Sequence, residues 1–152
     1  MAFSLSQLFG SKTAQSTDSI EAIINDVENN PFAVSETNVL FAGLNELGGY
    51  FFFQTVIVGD LNIKCKTGAK LTFSGPNFML NLDADMPEFE SESSDVKGRY
   101  VTKIDFQMEQ SDVEKLEMAT LQKIQLKIKK QELSFAKYVV LEDSGVLNEE
   151  EE

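Results

Sequence analysis

Histidine and tryptophan are absent from this 152-residue chain, and cysteine and arginine occur once each, as Cys65 and Arg99. Without histidine there is no Ser-His-Asp or Cys-His machinery and no histidine-held zinc or iron. One cysteine makes no intrachain disulfide, and a chain of this length buries enough surface to fold without a disulfide or metal staple. Apolar runs are short. Residues 50–53 form one of the longest, far below the roughly 20 residues that cross a bilayer as a helix. No basic residue precedes Lys12, so the amino terminus lacks the basic region of a secretory leader. These absences predict a cytoplasmic protein with no membrane span, no cofactor and no enzymatic constellation.

Basic residues are also scarce, 13 against 25 acids, for a formal charge of −12. The imbalance is local. Residues 83–95 hold six acids and no base, and residues 142–152 hold six more acids and no base. These two blocks account for the whole net charge, so the remaining body is neutral. Acid confined to a loop and a tail favours solubility and argues against nucleic-acid binding by the fold. The tail, residues 142–152, has too little apolar content to order itself and reads as disordered.

What the chain does hold is strand. Between Gly48 and Asp85 lie four strand-length segments cut by turn signals at Gly59-Asp60, Thr67-Gly68 and residues 74–77, a pattern that predicts an antiparallel meander. Residues 50–53 are apolar on both faces, which predicts a central strand with a layer packed on each side. Later segments alternate: Leu61, Ile63 and Cys65 share one face, as do Phe78, Leu80, Leu82 and Ala84, and then Ile104, Phe106 and Met108. A sheet with one wet face gives this pattern. Strand periodicity returns at Ile124, Leu126 and Ile128, then at Leu133 and Phe135.

Helical spacing is confined to three places. Ile20, Ile23, Ile24 and Val27 fall at i, i+3, i+4 and i+7, with Asp18 and Glu21 placed to cap the start and Asn29-Asn30-Pro31 to stop it. Residues 111–119 open with the box Ser111-Asp112-Val113-Glu114 and read as a short helix. Phe3, Leu5, Leu8 and Phe9 form an apolar patch on a segment too short to be helical alone in water. The chain therefore divides into an N-terminal helical segment (1–31), one antiparallel β domain (32–141) and the acidic tail. The fold class is mainly β, bordering α+β, as an antiparallel β-sandwich or open barrel.

Four features carry candidate chemistry. Asp83 and Asp85 share a strand face with Glu88 close behind, which makes them weak candidates for a divalent-cation site or a carboxylate-based enzyme. No fixed glycine or calcium-loop spacing supports them, and the wet face of a strand entering a polar loop explains them equally. Lys123, Lys127 and Lys129, with Lys64, Lys66 and Lys70, form two rows. Without interleaved aromatics these fit protected strands better than a nucleic-acid surface. Phe51, Phe53, Phe73, Phe78 and Phe106 are candidate walls of an apolar ligand cavity, or the filling of a core that lacks tryptophan. Phe3, Leu5, Leu8 and Phe9 are candidate partner-binding residues, for another protein or for a second copy in a homo-oligomer. The leading expectation is a non-catalytic protein-interaction or assembly module; the alternative is a β-barrel or sandwich that binds a small apolar ligand.

Overall fold

The structure is a computed structural model that describes residues 19–138. Along the chain come α1 (Ile20–Asp26), β1 (Ala33–Val34), β2 (Asn38–Leu47), β3 (Tyr50–Gly59), β4 (Lys64–Cys65), β5 (Ala69–Gly75) and β6 (Phe78–Asp83). They are followed by β7 (Phe89–Glu90), β8 (Glu92–Ser93), β9 (Tyr100–Met108), α2 (Gln110–Met118), β10 (Lys123–Ile128) and β11 (Gln131–Lys137). Nine strands form one antiparallel sheet in the order β6-β5-β10-β11-β1-β2-β3-β9-β8, and β4 pairs with β7 in a small second sheet. The large sheet curls into a half-barrel, and its β6 side reaches β9 at one bridge, Ala84 to Phe106. The expectation of a mainly-β antiparallel sandwich or open barrel holds, with both helices in their expected regions.

The barrel interior is built by alternation. Phe53, Thr55 and Ile57 of β3 face the same side as Ile104, Phe106 and Met108 of β9, and with Phe73, Ile124, Leu126 and Phe135 they are buried in one core. Buried polar groups are satisfied within it: Thr55 Oγ1 donates to the Ile104 carbonyl at 2.6 Å. A second, smaller core lies outside the sheet, where Ile23 of α1 is seated on Val39, Phe41 and Val58. The far outer face, across β6, β5, β10 and β11, is polar. One cross-strand row there runs Asp83, Lys70, Lys127, Glu132, with Lys70 Nζ 3.2 Å from Asp83. The lysines of that row are thus flanked by acids, and Asp83 is spent on Lys70.

Three expectations need correction. The segments between Gly48 and Asp85 are not a continuous meander, because both edges of β3 are taken by β2 and β9. Asn38 steers the chain away instead. It is buried, its side-chain amide donates to Asp60 Oδ1 at 3.0 Å, and its Oδ1 accepts from the Leu61 amide at 3.1 Å. Only β5 and β6 in that stretch form a hairpin. The second correction concerns helix bounds. Ser19 Oγ accepts from the Ala22 amide at 3.2 Å, and α1 ends at Val27, which is already extended. In α2 the box lies two residues earlier, where Asp112 Oδ2 accepts from the Glu109 amide at 3.0 Å. The third correction is that β3 is covered on both faces along its second half, at Val56 to Val58, and not at residues 50–53. Two turns of α1 are too short to reach farther. Residues 1–18 and 139–152, including the proposed patch at Phe3, Leu5, Leu8 and Phe9 and the acidic tail, lie outside the described residues.

Candidate functional site

Antiparallel pairing brings the β2–β3 turn, the β5–β6 turn, both ends of α2 and the last residues of β11 to one end of the barrel. An apolar cleft of about 350 Å³ opens there. Its floor is aromatic. Phe32 packs edge to face on Phe53 with ring centroids 5.4 Å apart, and Phe53 does the same on Phe73 at 5.1 Å, the geometry that ring quadrupoles favour. Val113 and Leu116 come from α2, Leu121 from the segment after it, and Leu44 from β2. Val113 and Leu116 face one way because they stand three apart on a helix.

One cation enters this apolar wall. Lys137, at the end of β11, lies with its ammonium 4.6 Å from the centre of the Phe32 ring, and it donates to the Tyr138 carbonyl at 3.3 Å. Partial burial holds its pKa below the ordinary lysine value of 10.5, because water is withdrawn from the charged form. No described carboxylate stands within 4.0 Å of it; Glu117 lines the cleft from the α2 side without pairing.

The β2–β3 hairpin that supplies Leu44 is also apolar on its opposite face. Leu47 and Tyr50 stand across from each other there, 60% and 62% exposed, with Phe52 half-buried on the same side. No described element covers them.

The other sequence candidates fall elsewhere. Phe73 and Phe106 are fully buried core, Phe51 packs against that core, and Phe78 lines a separate groove with Met118. Of the five aromatic candidates only Phe53 reaches the apolar cleft. Asp83 pairs with Lys70, while Asp85 donates its amide to the Asp105 carbonyl at 2.8 Å. Glu88 turns toward a mixed-charge cleft with Lys64, Lys66, Lys103 and Glu90. The acidic loop thus folds back over lysines. Among the described residues no group of three or more cysteine and acidic side chains gathers where it could hold a metal ion.

Cys65 is buried in the core. Burial raises its pKa, but hydrogen bonds with Thr67 and with the Gly68 backbone and the charge of Lys129 outweigh it and leave the thiol below its ordinary value. The Thr67 amide lies 3.5 Å from Sγ. The nearby cation is Lys129, whose Nζ donates to the Lys64 carbonyl at 2.9 Å.

Sequence reasoning did not single out Phe32, Leu116 or Lys137. Phe32 follows Pro31 outside any alternating run, so periodicity is silent about it. Lys137 reads as one more strand lysine until the ring beneath it is known. No helix among the described residues is long and apolar enough to cross a membrane. No protein-family model, curated protein or solved structure matches this chain.

Proposed function

We propose that this chain is a non-catalytic protein-interaction module whose binding surface is the α2 end of the barrel. The observation that supports it is the tip of the β2–β3 hairpin, which no described element covers. Leu47 and Tyr50 are exposed there beside Phe52, on the face of the hairpin opposite the one that lends Leu44 to the apolar cleft. The sequence of β3 asks for a layer on both faces, and α1 supplies it only over Val56 and Val58. Contiguous exposed apolar surface of this kind marks interaction sites, and tyrosine is favoured at such positions because it buries a large ring while its hydroxyl stays wet. A buried, unpaired thiol suits the reducing cytoplasm.

The test is a photoreactive benzoylphenylalanine placed at Leu47, with the same group at Gln125 on the polar outer face as control. A discrete protein adduct from position 47 alone, reformed with the purified partner or with a second copy, supports the reading. Cross-linking to residues 1–18 of the same molecule, with a monomeric mass by light scattering, would overturn it, because the chain would then cover itself.

The cleft supports a second reading, binding of a small apolar ligand. Its volume lies near the lower end of the ~300–1,000 Å³ usual for such sites.

A further inference from the structure

We propose that the cleft between α2 and Phe32 is the anchor pocket of this interaction surface, and that it takes an apolar residue next to a carboxylate on the partner chain. This rests on the interaction reading and names the chemistry the partner must present. Two features of the cleft argue it together. The side chains contributed by Phe32, Leu44, Phe53, Val113, Leu116 and Leu121 are apolar and make most of the wall. At their edge stands one ammonium that meets no described carboxylate.

The Phe32 ring and the Tyr138 carbonyl hold that ammonium in place. Neither removes its charge, and both leave it able to donate further, since an ammonium has three N–H groups. The lowered pKa of Lys137 fits the same picture: the folded protein pays solvation at this position, and an arriving anion restores it. Glu117, which lines the cleft from α2, sets polarity. A carboxylate is attracted at the Lys137 edge and repelled at the α2 edge, so the apolar group is directed beneath Leu116.

The experiment uses the isotopically labelled full chain, followed by amide chemical shifts. N-acetyl-leucyl-leucine and its C-terminal amide are the probes, titrated into the millimolar range. The acid should shift the amides of Leu116, Ala119, Leu121 and Lys137, and bind about fivefold more tightly than the amide, the scale of one partly exposed charge pair. Lys137→Met should abolish that difference and Lys137→Arg should keep it, while Leu116→Asp should remove binding of both probes. The unliganded spectra of the variants report whether each is folded.

Equal binding of acid and amide would overturn the carboxylate assignment. Shifts mapping away from the cleft, or no binding of either probe, would overturn the pocket itself. Decanoate binding more tightly than the dipeptide acid, with the same dependence on Lys137, would overturn the peptide occupant and assign the cleft to a free apolar acid. Each of these results can arise while cross-linking from position 47 still succeeds, so failure here is distinct from failure of the interaction reading.

Discussion

A methyl group on Gly59 would overlap the Thr37 carbonyl oxygen and the Asn38 amide oxygen. Those atoms are backbone and a buried side chain that holds Asp60 and Leu61, so neither can swing away. Gly59→Ala should therefore lose about 1–3 kcal/mol in urea unfolding, the scale of an overpacked core site. Gly43 is the control. A Cβ there meets nothing within 4 Å, and Gly43→Ala should be neutral or slightly stabilising. Loss of equal stability in both would show that sheet propensity and not contact governs position 59. Cys65 makes the second residue-scale prediction. Its pKa lies below the ordinary thiol value, whereas its burial blocks access. Access limits the rate when a reagent must reach a buried sulfur, so a thiol reagent should label the native protein slowly and the denatured protein fast. Rapid native labelling would place Cys65 outside the core.

At the scale of elements, α1 has only seven residues, too few to be helical alone, so its helicity depends on what it packs against. Ile23 is fully buried in the outer core, and Arg99, itself buried, reaches back to Asp26 at 2.9 Å. Ile23→Ala should cost about 2–5 kcal/mol, as deletion of a buried aliphatic side chain does. Glu21→Ala, on the exposed side, should stay within about 0.5 kcal/mol. Similar losses from both would mean that propensity rather than packing holds the helix. Alternation made β5, β6, β9 and β10 legible in the sequence, because each has one wet face and a strand's side chains alternate regardless of its partner. Strand order was not legible. Nothing local in β3 says that its neighbours are β2 and β9, and the turn at Gly59-Asp60 looks like a hairpin until Asn38, 22 positions before Asp60, is seen bonded to it. The two-residue strands β1, β7 and β8 are too short to show a period, and of the alternating run Leu61, Ile63, Cys65 only Lys64–Cys65 forms strand, as β4. The cleft was legible only through Phe53. Its other walls come from α2 and the segment after it, from Phe32 ahead of β1, and from β2 and β11, and their meeting is a product of barrel closure.

For the whole molecule, the two ends and two outer faces differ in kind. The outer face of β6, β5, β10 and β11 is largely polar, with Lys70 paired to Asp83 and Thr72 Oγ1 bonded to Asn81 at 2.6 Å. The outer face of β1, β2 and β3 is closed by α1. The hairpin tip is closed by nothing described. A side chain that stabilises the fold by packing is buried in it, and Leu47 and Tyr50 are exposed. The double variant Leu47→Asp, Tyr50→Asp should therefore remain within about 1 kcal/mol of the parent in urea, since exposed substitutions rarely exceed ±0.5 kcal/mol each. Two like charges facing each other across strands account for part of any loss, and Leu47→Asp, Tyr50→Lys removes that contribution by making the pair opposite in charge. Both variants should lose the adduct formed from a photoreactive group placed nearby at Phe52. Stability falling by several kcal/mol in both would show that the tip is buried in the native molecule, and the binding surface would have to be sought elsewhere.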